Sequence, residues 1–382
     1  MFPFLCLFAV LLLLVMSGLQ MFPVAATQAK PSVSAKAAVL LHADTGEVLF
    51  AKNESERLSM ASTTKIMTSL LALEQAAVSN PEITLTTEMV TVEGSSMGLK
   101  AGYRLTLRDL AIGMLTVSGN DAANSAAIAM AGSKEAFAKR MNDRAAQIGM
   151  KNTHFVTPSG LDDPEHYSTA YDMALLGAEA IRNEDFLSIC SQKQVSVQFI
   201  QPEQRIRYSN HNRLLSMYQG CIGVKTGFTK KSGRCLVSAA ERNGVRLVAV
   251  TLSAPDDWND HQRMFDYGFS CVKAYPIDES GVSYSVPVVG GQAESVLVQG
   301  QALPKPLTLS ESQYQSLKRV VELPRFLYAP VEPQQVIGRV RYDLDGKTVA
   351  SVSLSACDPV SALVLKPSFW QKITAWFQGL FS

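Results

Sequence analysis

The chain has 382 residues, more than one hydrophobic core usually holds, so its length predicts two domains with additional terminal segments. Apolar residues make up 47% and charged residues 18% of the chain, a composition that excludes intrinsic disorder. The 35 lysines and arginines nearly balance the 34 aspartates and glutamates, so the excess positive charge of nucleic-acid-binding proteins is missing and no nucleic-acid partner is expected.

The N-terminus predicts an exported protein. Residues 4–16 form an apolar run too short for a comfortable membrane span, and small residues follow around 24–29. This arrangement is typical of a signal peptide, which we assign to residues 1–29. The run lacks the usual preceding positive charge, so an uncleaved signal anchor is the alternative. Either segment places the body of the protein outside the cytoplasm.

Hairpin and helix patterns follow in chain order. Two apolar runs at 37–42 and 47–51 flank a turn at 43–46, which predicts a β-hairpin. Apolar residues then recur three and four positions apart from Ser62 to about Gln75 and from about Leu107 to Met130. That spacing predicts helices in the middle of the chain.

The pattern becomes β-rich between 220 and 254. Apolar runs at 221–224, 234–240 and 245–252 predict strands, and Asn243-Gly244 favours a tight turn between the last two. Strands near both ends of this region, with helices between them, predict one α/β (α+β) domain over residues 30–270. Its sheet should pair early strands with late ones.

The C-terminal part predicts a small β-rich domain at 271–360, because short valine-rich runs alternate there with glycine and proline turns. Residues 367–382 then predict an amphipathic helix that binds a membrane surface. Its apolar face holds Phe369, Trp370, Ile373, Trp376, Phe377, Leu380 and Phe381. A helix packed on the β-rich domain is the alternative, since Lys372 is the segment's single cation.

Cysteine and histidine spacings indicate neither a disulfide framework nor a metal site. Cys6 falls in the signal segment, and the other five cysteines are scattered without a CxxC pair, which favours buried apolar roles. The five histidines show no ligand spacing. We expect no metal and no cofactor.

Three short motifs point to chemistry: Ser-Thr-Thr-Lys at 62–65, Ser-Gly-Asn at 118–120 and Lys-Thr-Gly at 225–227. Each is weak alone, because the spacing of the first recurs at 270–273 and 231–233 imitates the third. The first motif, however, begins a predicted helix, where Lys65 projects one turn above Ser62 on the same face.

These residue types suit acyl transfer. A serine hydroxyl needs a base, and Lys65 serves if it is neutral, which burial and the charge of Lys225 both favour. The helix N-terminus at Ser62 offers a donor to a developing oxyanion. Lys225 and Thr226 are candidates for binding a substrate carboxylate. Asn120 is a candidate for fixing a substrate amide, and Ser118 for relaying a proton.

The motif set occurs in class A β-lactamases and penicillin-binding proteins. Over roughly 32–270 the chain resembles the low-molecular-mass penicillin-binding proteins, the serine-type D-alanyl-D-alanine carboxypeptidases. The resemblance rests on the segments at 61–68, 118–124, 152–155, 160–162, 171–175, 210–214 and 224–229. It implies a serine β-lactamase/transpeptidase-like catalytic domain, followed by a small β-rich domain and an amphipathic helix on the outer face of the cytoplasmic membrane.

The resemblance also implies an activity and the roles of residues. A peptidoglycan stem peptide ending in D-Ala-D-Ala would acylate Ser62 and release its terminal D-alanine, and β-lactam antibiotics would inhibit the reaction. The implied catalytic residues are Ser62, Lys65, Ser118 and Asn120. The implied substrate-binding residues are Lys225, Thr226, Gly227 and Phe228. Backbone N–H groups of Ser62 and Phe228 would bind the oxyanion.

Some members carry histidine where this chain has Phe228, a difference expected to affect fine specificity. A β-lactamase is one alternative, but no ExxLN pattern stands between the second and third motifs. A non-catalytic wall-binding relative is another.

Residues 94–98 also match the Gly-x-Ser-x-Gly pattern of hydrolase elbows. A preceding strand is plausible there, but the residues that follow break a helix.

Overall fold

The computed structural model of the protein describes residues 29–364 together with Trp370, Ile373 and Gln378. The predicted signal peptide lies outside these residues except for Ala29. The predicted terminal helix at 367–382 lies outside them as well, apart from Trp370, Ile373 and Gln378, which are helical. Within the described part of the chain, no helix is long and apolar enough to cross a membrane.

An antiparallel five-stranded sheet is the centre of the first part of the structure. Its strands are β1 (Ala37–His42), β2 (Val48–Lys52), β7 (Cys221–Thr229), β8 (Gly233–Arg242) and β9 (Val245–Leu252). They lie in the order β2-β1-β9-β8-β7, which leaves β7 at one edge. The predicted hairpin is therefore confirmed, and so is the pairing of early strands with late ones, because β1 pairs with β9 along its whole length.

Both faces of this sheet are covered. Every residue of β1 is buried, which suits a strand between two packed layers. Side chains alternate across the strand, so Val39 and Leu41 join the core on the helical side. Leu40 belongs to the second core, which also contains Phe265 of the long helix α9 (Asp257–Cys271).

The helical region fills the chain between β2 and β7. A short 3-10 turn, Ala61–Thr64, comes first. The helices that follow are α1 (Lys65–Val78), α2 (Thr87–Val90), α3 (Leu107–Thr116), α4 (Asn120–Ala131), α5 (Lys134–Ile148), α6 (Ala170–Ala180), α7 (Glu184–Cys190) and α8 (Leu214–Met217). Two hairpins are inserted among them, β3 (Glu82–Thr84) with β4 (Arg104–Thr106), and β5 (Gln194–Phe199) with β6 (Gln204–Ser209).

The helix predicted from Leu107 to Met130 is in fact two helices. The chain leaves α3 after Thr116 and enters α4 at Asn120, and between them Ser118 has a left-handed φ of 61°. Gly119 is needed at this break, because a Cβ on it would lie 2.7 Å from Oδ1 of Asp121. The apolar spacing continues through the break, so periodicity alone did not reveal it. At the break, Ser118 lines the same depression as Thr226 and Gly227 of the edge strand β7.

The C-terminal part is built of strands, as the valine-rich runs predicted. They are β10 (Val272–Tyr275), β11 (Ser283–Val289), β12 (Ser295–Gln299), β13 (Leu307–Ser310), β14 (Lys318–Glu322), β15 (Leu327–Tyr328), β16 (Val336–Leu344) and β17 (Lys347–Ala356), with α10 at Glu311–Ser316. Six form one sheet, in the order β14-β16-β17-β12-β11-β15. Its core includes Val298, Val340 and Leu354 and forms a separate apolar cluster.

Candidate active site

The first motif forms one contiguous unit at the start of α1. Ser62 lies in the 3-10 turn and Lys65 is the first residue of the helix. Nζ of Lys65 is 2.9 Å from Oγ of Ser62 and also donates to the backbone oxygen of Ser159 at 2.6 Å. The predicted nucleophile and base therefore stand in direct hydrogen-bond contact.

The surroundings of Lys65 favour its neutral form. Its side chain has no exposed surface, and this burial lowers the pKa well below that of an ordinary lysine. The positive charge of Lys225 lowers the pKa of Lys65 further, while the Asp121 carboxylate opposes the shift. A neutral amine can keep donating to Ser159 while its lone pair accepts the proton of Ser62.

Lys225 lies behind the cleft. It is 1% exposed, and its Nζ donates to the backbone oxygen of Thr226 at 2.8 Å. Burial lowers the pKa of Lys225 to about 7. Its position allows it to act on Lys65 through charge, whereas Thr226, the next residue, lines the cleft itself.

The backbone of β7 presents donors to the cleft. In antiparallel pairing, the N–H and C=O groups of successive residues point alternately to the two sides of a strand. The C=O group of Arg234 points toward β9, since it accepts a hydrogen bond from the N–H of Ala254 at 2.8 Å. In the pairing of β7 with β8, Arg234 lies opposite Phe228. The N–H of Phe228 therefore points away from β8, toward the edge of the sheet beside Ser62.

Gly227 lets this strand approach Ser62 closely. A Cβ on Gly227 would lie 3.0 Å from the backbone nitrogen of Thr63 and 3.1 Å from that of Ser62. Any side chain here would push β7 away from the 3-10 turn. Gly227 therefore allows the backbone N–H groups of Ser62 and Phe228 to lie close together.

Of the second motif, Ser118 faces the same cleft, whereas Asn120 is not among the residues that line it. Ser118 lines it, and its hydroxyl has no hydrogen-bond partner among the described residues. Asn120 is 4% exposed and donates through Nδ2 to the backbone oxygen of Glu93 at 2.6 Å. Its Oδ1 is buried and has no partner in the described part of the chain. Asn120 therefore holds an unused acceptor.

The cleft encloses about 280 Å³, and the side chains outside the three motifs that line it include those of Arg234, Asp257 and Trp258. Arg234 donates through Nε and Nη2 to Oδ1 of Asp257, at 3.0 and 2.8 Å, and its guanidinium lies 5.4 Å from the Trp258 ring centre. No sequence spacing joins β8 to the start of α9, so only the fold reveals this group. It supplies a fixed cation in the cleft.

A loop packs against the 3-10 turn that carries Ser62. A Cβ on Gly160 would lie 2.0 Å from the backbone oxygen of Ala61, so the loop at 157–160 packs directly on the 3-10 turn. His166 joins the two segments. Its Nδ1 accepts from the N–H groups of Val156 and Thr157 at 2.9 and 3.2 Å, so Nε2 carries the proton and donates to Oγ1 of Thr64 at 2.8 Å.

The segment at 94–98 is not a hydrolase elbow. Helix α2 and a short loop precede it, where a strand had been plausible, and no helix follows directly. The buried carboxylate of Asp121 instead holds it as a loop over the cleft, accepting from the N–H groups of Met97 and Leu99 at 2.8 and 3.0 Å. Ser95 lines the cleft from this loop.

Comparison with known proteins agrees with this geometry. Residues 24–256 match the family model described as D-alanyl-D-alanine carboxypeptidase, Peptidase S11. The chain is 32% identical over 332 residues to D-alanyl-D-alanine carboxypeptidase DacF of Bacillus subtilis, covering 84% of this chain and 85% of the relative. It is 33% identical over 374 residues to DacA of Haemophilus influenzae, covering 92% of each.

Solved structures show the same architecture. Penicillin-binding protein 5 from Haemophilus influenzae superposes with a TM-score of 0.62 at 32% identity, covering 87% of this chain and 98% of that one. This similarity confirms the predicted fold class, a mixed α/β structure with antiparallel sheets.

Proposed function

The chain belongs to the S11 family of serine D-alanyl-D-alanine carboxypeptidases, and from this premise we propose that Ser62 carries the acyl group of the reaction. The enzyme is a peptidase that removes the terminal D-alanine from peptidoglycan stem peptides and is inhibited by β-lactams. One observation carries the assignment of the nucleophile: Oγ of Ser62 lies 2.9 Å from Nζ of the fully buried Lys65.

Acylation follows from the contacts around Ser62. Neutral Lys65 takes the hydroxyl proton as Oγ attacks the carbonyl carbon of the D-Ala-D-Ala bond. Negative charge then develops on the carbonyl oxygen, where the N–H groups of Ser62 and Phe228 stabilise it. When the C–N bond breaks, the proton passes from Lys65 through the Ser118 hydroxyl to the leaving nitrogen, and D-alanine departs.

Deacylation reverses these proton movements. Water enters in place of D-alanine and attacks the ester carbonyl, giving its proton to Lys65 by way of Ser118. The same two N–H groups stabilise the second oxyanion. When the ester C–Oγ bond breaks, Lys65 returns its proton to Oγ of Ser62, and the shortened peptide departs with a free carboxyl group. The unused Oδ1 of Asn120 accepts from a substrate amide N–H and keeps the acyl chain aligned through both steps.

We assign the terminal carboxylate of the substrate to Arg234 and Thr226, with Lys225 behind them. The Arg234 guanidinium lines the cleft, and Asp257 and Trp258 hold it in place. Its Nη1 makes no hydrogen bond to a described residue, so it remains available to a carboxylate. Lys225 supports this charge from the interior of β7, where it is 1% exposed.

The alternative of a β-lactamase differs in how fast the acyl-enzyme decays. Among the described residues that line the cleft, Asp257 is the one carboxylate, and Arg234 occupies its Oδ1. No glutamate of the described residues lines the cleft to activate water against a penicilloyl ester. A penicilloyl adduct on Ser62 should therefore decay slowly.

The test is release of D-alanine from a diacyl-L-Lys-D-Ala-D-Ala peptide by the full-length protein and its Ser62→Ala variant. We expect release and covalent penicillin labelling to vanish together in the variant. Ser270→Ala is the matched control, because Ser270 and Lys273 repeat the motif spacing away from the cleft. Labelling that persists in Ser62→Ala would refute the nucleophile; a folded protein with neither release nor labelling would support a non-catalytic wall-binding role.

We further propose that residues 1–29 direct export and that 367–382 hold the enzyme at the outer face of the cytoplasmic membrane. The support is the apolar run of the first segment and the aromatic face of the second. Deleting 367–382 should move the protein from the membrane pellet to the soluble fraction. A deletion variant that stays in the pellet would contradict the anchor.

A further inference from the structure

A second depression, of about 740 Å³, lies beside the catalytic cleft. We call it the basic groove. It lies where β5, β6 and the segment entering α8 meet, and the residues used below are Lys193, Arg207, Asn210, Asn212 and Arg213. None of them belongs to the three motifs.

The charges of the groove are all of one sign. Lys193, Arg207 and Arg213 line it, no acidic side chain does, and none of the three forms an ion pair with a described residue. Cations on a surface are commonly solvated without any ligand. Three of them around one concavity, however, produce a positive potential that attracts anions.

An independent observation marks the groove as a binding site. Asn212 lines it but is only 3% exposed, and its Oδ1 accepts from the N–H of Leu214 at 3.1 Å, which fixes the orientation of the amide. The Nδ2 group is then buried without any acceptor in the described part of the chain. Buried amide donors are nearly always paired, so this one lacks an acceptor that a ligand can supply.

The donors determine the chemistry of the ligand. Guanidinium, ammonium and amide N–H groups all donate, and guanidinium groups match the two oxygens of a carboxylate. Asn210 is already engaged, since its Nδ2 donates to the backbone oxygens of Cys190 and Gln192 at 3.2 and 3.1 Å, and so it shapes the loop. The groove is suited to a carboxylate.

The position of the groove links it to the substrate. His211 stands between Asn210 and Asn212, and it lines the catalytic cleft while both neighbours line the groove. A peptide bound in the cleft by its D-Ala-D-Ala end can therefore extend past His211 into the groove.

We infer that the basic groove binds a carboxylate carried by the stem peptide upstream of the scissile bond. This inference rests on the proposed function and names a feature of the substrate that the enzyme selects. The chemical class is a peptide whose acyl side carries a free carboxylate, such as the α-carboxylate of a γ-linked D-glutamyl residue. The cleft recognises the D-Ala end, and the groove recognises the acid.

The test compares two peptides, acyl-γ-D-Glu-L-Lys-D-Ala-D-Ala with the glutamyl α-carboxylate free and the same peptide with it amidated. For the Arg207→Gln/Arg213→Gln protein we expect KM to rise about tenfold or more for the free acid, with kcat nearly unchanged. The amidated peptide should be little affected. Arg205→Gln is the matched control, since Arg205 lies on β6 but does not line the groove.

The outcomes separate this inference from the proposed function. Equal effects of the double variant on both peptides, or the same effect from Arg205→Gln, would overturn the carboxylate assignment while D-alanine release still stood. Covalent labelling by penicillin, which has no glutamyl part, should proceed at the wild-type rate in the double variant. Lost labelling would show a damaged cleft and would also overturn the inference.

Discussion

The two buried lysines belong together because one controls the proton affinity of the other. Lys225 lowers the pKa of Lys65 by charge repulsion, in addition to the larger effect of burial. This coupling predicts that replacing Lys225 shifts the pH profile of acylation along the pH axis. A purely structural role of Lys225 would change only the height of that profile.

Lys225→Met should shift the acid limb of acylation toward higher pH. Removing the neighbouring cation raises the pKa of Lys65, so a higher pH is required before its neutral form predominates. The measurement is the rate constant for labelling by a fluorescent penicillin as a function of pH. Lys231→Met, in the exposed turn that imitates the third motif, should leave the profile in place. A lower rate with an unshifted limb would contradict the coupling.

Gly227→Ala should damage the oxyanion site specifically. The new methyl group would lie 3.1 Å from the nitrogen of Ser62 and 3.0 Å from that of Thr63, so β7 must move away from the 3-10 turn. We expect acylation by penicillin to fall on the order of a hundredfold, the usual effect of losing one such donor. Gly281→Ala serves as the control, because a Cβ there meets no atom within 4 Å. Equal rates in both variants would refute the close approach.

The sequence predicted residues with distinctive spacing and missed those that only folding assembles. Ser62 and Lys65 are one helical turn apart, so a local rule places them on one face. Arg234 and Asp257 lie on different elements, and no local pattern indicates that their side chains meet. The same reason hid His166, which contacts Thr64 only because the loop at 157–160 packs on the 3-10 turn.

At the scale of elements, the structure differs from the prediction at the interruption between α3 and α4, a segment predicted as one helix. Periodicity predicted helix throughout because the buried face continues on both sides of Ser118. The structure instead uses a left-handed residue there to turn the chain toward the cleft. The sequence thus predicted which segments are helical, whereas the break depends on tertiary contacts such as those of Asp121.

His166, which holds the loop at 157–160 against the 3-10 turn, should make the stability of the fold sensitive to acid. Burial lowers the pKa of this imidazole from its ordinary 6.5 to about 4. Protonation of Nδ1 would also break the two hydrogen bonds that it accepts from backbone N–H groups. The unfolded chain therefore binds more protons between these values. The stability contributed by the neutral ring is complete above pH 6.5 and is lost as the pH falls toward 4.

His166→Gln should accordingly make the free energy of unfolding less dependent on pH. Chemical denaturation at several pH values between 6.5 and 4 should show a smaller decline in the free energy of unfolding than in the wild type. Some decline will remain, because buried His261 has a pKa of about 3. A decline as steep as that of the wild type would show that His166 does not carry this acid sensitivity.

At the scale of the whole molecule, the buried apolar residues that the structure describes form clusters in two parts of the chain. Two of them flank the five-stranded sheet, while the third lies within residues 277–360. The parts are also connected by hydrogen bonds, including one of 2.9 Å from Oγ of Ser310 to Glu47 and one of 3.0 Å between Nε2 of His42 and Thr308. We propose that each part unfolds cooperatively on its own.

Calorimetry should then resolve two thermal transitions, of which β-lactam acylation raises only one. The covalent adduct adds contacts in the cleft alone, so the part that contains the third cluster should melt at an unchanged temperature. Ser62→Ala with the same drug is the control and should show no shift. A single transition, or two that rise together, would contradict independent unfolding.

The crowding around Gly227 also limits how a cell under antibiotic selection can escape. In the proposed mechanism the drug and the natural peptide use the same serine and the same two N–H donors, and a side chain at position 227 would obstruct both. Resistance that changes this cleft would therefore reduce wall maturation along with drug capture. Substitutions in the basic groove are less constrained, because only the peptide reaches it. Such substitutions can strengthen binding of the substrate without strengthening binding of the inhibitor.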